Sequence, residues 1–183
     1  MTDGPYAPAA DLPQTLRALG DFVGFGEADA ERIRRTAPLL LANETALTTA
    51  LYDHFLEHPQ AARFFLKADG TPDRERIERR KHSLGRWLRE SAEAALGKEA
   101  AYYLLGIGLS HSHRTWGIGG AVPLDLMIGA ISLAQTALAR LFAAHLPADE
   151  ALEAAIAWNK LLCVQLSVFT IGYLLPRPDS ETR

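Results

Sequence analysis

The sequence has a single cysteine, Cys163, so no disulfide can form within the chain and a reducing compartment such as the cytosol is expected. Neither sign of charge dominates. The net charge of -3 gives no electrostatic basis for binding nucleic acid or an anionic membrane. The N-terminus lacks a basic region followed by an apolar run, so no signal peptide is expected. We therefore expect a cytoplasmic protein with neither nucleic acid nor membrane as a partner.

Sustained alternation of apolar and polar residues, the signature of β-strands, is also missing. Alanine and leucine dominate, and the apolar residues recur with helical spacing throughout. With 183 residues, 48% of them hydrophobic, the chain is long enough for one substantial core. We predict an all-α domain of seven to eight helices over residues 12–175, flanked by flexible tails over 1–11 and 176–183. Pro38 is expected to begin a new helix, and a later helix is expected to run from Lys98 to about Trp116.

Motifs for common enzyme chemistries are absent. There is no HExxH, no CxxC, no glycine-rich phosphate loop and no nucleophile elbow. Glu44, Glu57 and Glu93 show no pairing suited to acid–base work. The sequence therefore predicts neither a hydrolase nor a transferase, and we expect no catalytic residues.

Two histidines, His111 and His113, lie on an otherwise apolar stretch of predicted helix. Neutral imidazole is the commonest metal ligand in proteins, and one helical histidine can hold a haem iron. Residues two apart on a helix point about 200° away from each other, so only one of the pair can face a given pocket. The alternative for either one is a core histidine bonded to a backbone carbonyl.

Four segments, taken in order, resemble the sensor-globin and protoglobin group, the globin domains of bacterial globin-coupled sensors. They are residues 51–56 with His58-Pro59, residues 83–88, Tyr102 with His113 and Trp116-Gly117-Ile118, and residues 159–162. The resemblance covers about residues 12–175. It implies a globin fold with an extra N-terminal helix and long final G and H helices.

The resemblance implies haem b as the cofactor, with His113 as the iron ligand. The spacing from His113 to Gly117-Ile118 and the register of Tyr102 favour this assignment. His111 is the alternative, because Ile107-Gly108 would then take the family's place before the ligand.

Tyr52 takes the position from which the family's tyrosine donates a hydrogen bond to O2. The predicted cofactor-binding residues are Tyr52, Phe55, Phe65, Ser83, Leu84, Trp87 and Met127. The apolar members would serve equally well as ordinary core, and Tyr52 could instead be a core tyrosine whose hydroxyl is bonded to a carbonyl.

The function implied by the resemblance is reversible binding of O2, and also of CO and NO, by a gas or redox sensor. The chain would act alone or as the sensor part of a longer signalling protein, with weak chemistry on NO or O2 as an addition. A homodimer through the last two helices is expected, together with a downstream signalling protein. The alternative is a haem-free globin-fold interaction module in a signalling complex.

Overall fold

The computed structural model describes residues 8–94 and 96–176, and within them it contains eight α-helices and no strand. The helices are α1 (Leu12–Phe22), α2 (Glu27–Ala42), α3 (Glu44–Glu57), α4 (Pro59–Ala62), α5 (Arg74–Ala92), α6 (Lys98–His113), α7 (Leu124–His145) and α8 (Ala148–Leu174), with a 3-10 turn over Arg63–Phe65 after α4. The all-α prediction is confirmed. Of the predicted tails, residues 1–7 and 177–183 lie outside the described residues.

Local signals mark the starts of α1, α5, α7 and α8. The Asp11 side chain accepts a hydrogen bond from the Gln14 backbone N–H at 3.0 Å, and Asp73 does the same for Arg76 at 3.0 Å. Each carboxylate thus satisfies a backbone donor in the first turn of α1 or α5. Pro123 and Pro147 directly precede α7 and α8. At these positions the missing proline N–H removes no helical hydrogen bond.

Two helix boundaries differ from the prediction. α2 continues through Pro38 to Ala42, because proline removes only one backbone donor while Ile33, Ala37 and Leu40 stay buried along the same helix. α6 ends at His113, before the predicted end at Trp116, because Arg114 adopts extended backbone with φ −97° and ψ 150°.

α8 is the central helix of the core and packs against α1, α2, α6 and α7. Its Trp158 is fully buried, and the indole N–H donates to the Thr36 hydroxyl on α2 at 2.9 Å. By length and composition alone, α7 and α8 are apolar enough to span a membrane. In the structure they pack against each other, and α8 contributes more buried residues than any other helix.

α6 and α8 approach so closely that their backbones touch. A Cβ placed on Gly108 would lie 2.3 Å from the Phe169 carbonyl oxygen, and one on Gly172 would lie 2.7 Å from the Gly108 carbonyl carbon. Ser112 also donates its hydroxyl to the Gly172 carbonyl at 2.9 Å. This contact fixes α6, and the histidines at its end, against the core.

Candidate functional site

A cavity of about 330 Å³ lies between α3, the turn after α4, α5, the end of α6 and α7. This volume is within the range of small-molecule sites. Most of its wall is apolar or aromatic. The lining residues are Tyr52, His54, Phe55, His58, Gln60, Ala61, Phe64, Phe65, Arg80, His111, Trp116, Val122, Leu126, Met127, Gly129, Ala130 and Leu133.

His111 is the histidine that α6 contributes to this cavity. Its Nδ1 lies 2.8 Å from the Ile107 carbonyl oxygen, one helical turn earlier. A carbonyl oxygen only accepts, so Nδ1 carries the hydrogen and Nε2 keeps its lone pair. Burial lowers the pKa of His111, as does the positive charge of Arg80, whereas the bond to Ile107 acts in the opposite direction. The ring is therefore neutral, in the state that binds a metal.

Tyr52 lines the same cavity from α3 and is buried. Its ring packs edge-on against Phe55 and Phe65, with centroid distances of 5.5 and 5.3 Å. Burial raises the pKa of the phenol, and the nearby Arg80 charge opposes that shift. No side chain or backbone group in the described ranges forms a hydrogen bond with the Tyr52 hydroxyl, so the hydroxyl is a protonated donor without a partner.

The segment after α6 folds back and closes the cavity beside His111. The Trp116 ring lies 6.3 Å from the His111 ring, and its indole N–H donates to the Ser110 carbonyl at 2.9 Å. Val122 N–H donates to the His111 carbonyl at 2.9 Å. Gly117 has a φ of +54°, and a Cβ there would lie 2.7 to 2.9 Å from three carbonyl oxygens of residues 63–66. Only glycine fits this turn.

The structure places His113 outside the cavity that contains Tyr52. His113 lies instead at a second cavity of about 250 Å³, together with Tyr173 and Leu175. Its Nδ1 is 2.6 Å from the Ser112 hydroxyl, and its Nε2 is 3.1 Å from the Pro176 carbonyl. In the structure, therefore, His113 and Tyr52 do not line the same cavity. The spacing between His113 and Gly117 does not show which way the His113 side chain points. α6 ends at His113, and Gly117 lies in the segment after it, packed on residues 63–66.

The predicted lining is found only in part. Phe55, Phe65 and Met127 line the cavity with Tyr52, whereas Ser83, Leu84 and Trp87 do not. The exposed Ser83 donates its hydroxyl to the Arg79 carbonyl of its own helix at 3.0 Å. Leu84 packs against the main core. Ser83 thus faces solvent, and Leu84 packs into the main core one helical turn after Arg80, so neither side chain lines the cavity.

Trp87 packs in the main core. Its indole N–H donates to Gln165 of α8 at 2.8 Å, and its ring lies 6.3 Å from that of Phe169. The Gln165 side chain in turn exchanges hydrogen bonds with Ser91 at 3.1 to 3.2 Å. This buried polar cluster holds Trp87 toward α8.

Arg80 is one of several cavity residues, His54 and His58 among them, that are not in the predicted cofactor-binding set. It lies within a run of charged residues, which is typical of a solvated helix face. Its position nevertheless carried a signal, since Arg80 comes three residues after the buried Ile77 and four before the half-buried Leu84. That spacing puts Arg80 on the inner face of α5.

The chain matches the Protoglobin family model over residues 12–177. It is similar in structure to the globin domain of the Geobacter sulfurreducens globin-coupled sensor, with a TM-score of 0.72 and 19% sequence identity. That match covers 86% of this chain and 96% of the other, and it shows the globin fold. No curated protein sequence matches the chain significantly.

Proposed function

Because the chain belongs to the Protoglobin family, we propose that it binds haem b in the cavity between Tyr52 and His111 and thereby binds O2 reversibly. CO and NO are proposed as further ligands. When bound, the haem iron supplies the coordination position for a diatomic gas. The chain's own residues supply the ligand nitrogen, the apolar walls and a hydrogen-bond donor.

The observation that carries the proposal is the state of His111. A half-buried neutral imidazole whose Nδ1–H is bonded to the Ile107 carbonyl presents its Nε2 lone pair as a metal ligand. The bond to the Ile107 carbonyl sets the tautomer and the orientation of the ring before any metal binds. His113 has both ring nitrogens within hydrogen-bond distance of other groups, so we assign the ligand role to His111.

Tyr52 supports the gas-binding part of the proposal. Its hydroxyl is protonated, lines the cavity and has no partner among the described residues. Iron-bound O2 carries partial negative charge and CO carries little, so a buried donor stabilises O2 selectively. The tyrosine is thus suited to slow the loss of O2.

The test is an absorption spectrum of the haem-loaded protein before and after dithionite, and again with CO. We expect a Soret band that shifts at each step. His111→Ala should lose this spectrum or retain haem poorly, and His113→Ala is the matched control that should keep it. Loss in His113→Ala alone would return the ligand role to His113. If the wild-type protein retains no haem at all, the globin is a haem-free interaction module.

We also propose that the chain forms a homodimer through α7 and α8 and signals through a partner protein. Both helices are apolar along their length, yet large hydrophobic side chains stay exposed on them. These are Ile128 at 47%, Leu152 at 60%, Ile156 at 41% and Leu174 at 76% exposure. A second copy of the same helix pair would cover them.

A further inference from the structure

Arg80 gives the cavity a fixed positive charge that the mostly apolar wall does not balance. Within residues 8–94 and 96–176 it is the one lysine or arginine that lines the cavity, and no aspartate or glutamate does so. The other ionisable lining groups are histidines and Tyr52. The electrostatic character of this site is therefore complementary to an anion.

Arg80 has no acidic partner among the described residues, although its neighbours on α5 do. Arg79 forms an ion pair with Glu75, and Arg76 lies 3.4 Å from the Asp73 carboxylate. The Nε of Arg80 is buried without a hydrogen-bond acceptor. Burying a charged donor without an acceptor is unfavourable. A ligand that brings an acceptor to the Nε of Arg80 would remove this cost.

The guanidinium of Arg80 is held in one place by Trp116. Its central carbon lies 4.1 Å from the centre of the indole ring, which is close for a cation–π contact. Trp116 is itself fixed by its bond to the Ser110 carbonyl. The stacking leaves the edge of the planar guanidinium, which carries its N–H donors, free to meet a carboxylate.

The surroundings of Arg80 add more positive charge. Burial lowers the pKa of its guanidinium most, and Arg79, Arg114 and Arg76 lower it further by repulsion, while Tyr52 acts against this shift. An anion bound here would relieve both the desolvation and the repulsion. Arg80 is also half-buried, which places it at the edge of the cavity and within reach of solvent.

We propose that Arg80 is the carboxylate-binding residue of the cavity and pairs with a carboxylate of the porphyrin. The inference rests on the proposed function. A porphyrin of the haem b type carries an apolar ring and two carboxylates on one edge. The aromatic and aliphatic wall matches the ring, and Arg80 matches the acidic edge. The role is one of binding and orientation, separate from iron ligation by His111.

The experiment uses iron-free protoporphyrin IX and its dimethyl ester, so that binding does not depend on His111 as a ligand. Porphyrin fluorescence would be titrated with the haem-free protein. Arg80→Gln should raise the Kd for the free acid by about ten- to a hundredfold, the usual effect of losing a hydrogen bond to a charged group. The Kd for the ester, which has no carboxylate, should change little. Arg80→Lys, which keeps the charge but not the fork of donors, should fall between Arg80→Gln and the wild type.

Arg79→Gln is the matched control, because it removes the same charge from the next position of α5, where the side chain is exposed. It should leave the Kd for the ester unchanged and raise the Kd for the free acid far less than Arg80→Gln does, because Arg79 acts on the site only at a distance. Partial unfolding would weaken binding of the free acid and of the ester alike. The ratio of the Kd for the acid to the Kd for the ester is therefore compared between variants. An equal ratio in Arg80→Gln and the wild type overturns this inference and leaves the proposed function standing. If the wild-type protein binds neither porphyrin, this inference fails, whereas the proposed function is decided separately by the spectrum of the haem-loaded protein.

Discussion

The indole N–H of Trp87 donates a 2.8 Å hydrogen bond to the side-chain oxygen of Gln165, 78 residues later in the chain. Both residues are buried, so each satisfies a polar group that water cannot reach. This bond gives Trp87 a structural role between α5 and α8.

Gln165→Leu should therefore destabilise the protein without affecting the haem cavity. The substitution leaves the Trp87 N–H and the Ser91 hydroxyl without their acceptor, which costs about 1–3 kcal/mol of unfolding free energy. Thermal or urea unfolding measures the loss. Gln135→Leu, which removes a bond from a more exposed glutamine to Asn159, is the control and should cost less. A haem spectrum altered by Gln165→Leu would contradict the separation of the two regions.

Tyr52→Phe should speed the release of O2 and leave the release of CO nearly unchanged. The substitution keeps the ring that packs against Phe55 and Phe65 but removes the only donor that Tyr52 offers. Losing one hydrogen bond to a partly charged ligand corresponds to about a tenfold faster release. Stopped-flow measurement of both gases on the haem-loaded protein tests this. Equal effects on O2 and CO would mean that the hydroxyl does not contact the ligand.

Gly108→Ala should destabilise the fold strongly, because its Cβ would lie 2.3 Å from the Phe169 carbonyl oxygen. Backbone atoms cannot rotate away, so α6 and α8 must separate, at a cost of about 1–3 kcal/mol or more. Gly106→Ala on the same helix is the control. Nothing lies within 4 Å of the added carbon there, and alanine should stabilise the helix by about 0.5–1 kcal/mol. We expect the melting temperature to fall in Gly108→Ala and to rise in Gly106→Ala, relative to the wild type.

Tyr173→Phe should be neutral or stabilising at pH 7, because the Tyr173 hydroxyl is buried without a hydrogen-bond partner among the described residues. Burial, with a contribution from Asp125, raises the pKa of this tyrosine from 10.0 to about 12. Between these values the unfolded chain ionises first, so the wild-type protein loses stability as the pH rises from 10 to 12. The phenylalanine variant lacks this loss. Urea unfolding at pH 7 and pH 11 compares the two, with Tyr102→Phe, at an exposed position, as the control.

Replacing Ile128 and Ile156 together by glutamate should convert the proposed dimer to a monomer. Both side chains are exposed, at 47% and 41%, so the double variant should keep the fold while charging the proposed interface. Light scattering gives the mass. Phe22→Glu charges an exposed apolar position on α1 instead and should leave the mass unchanged. A wild-type monomer at high concentration would rule out the dimer.

The helical fold was predictable because apolar spacing and capping residues such as Asp73 act locally. The cavity was harder to predict, because it depends on helical phase and on where helices end. His113 was favoured by its distance from Gly117, but Arg114 leaves the helix and Gly117 is required by its contact with residues 63–66. Trp87 was assigned to the pocket because no local pattern reveals that Gln165 lies opposite it. Tyr52 was identified through the resemblance to the protoglobin group, and the structure brings it to the cavity.

The glycine pair Gly108 and Gly172 has a mechanical consequence. With no side chain between the two backbones, there is nothing compressible to absorb a small movement. We therefore expect α6 and α8 to move together at this contact. The hydrogen bond from Ser112 to the Gly172 carbonyl also connects the two helices. A displacement of His111, three residues after Gly108, is therefore expected to move α8 through this contact.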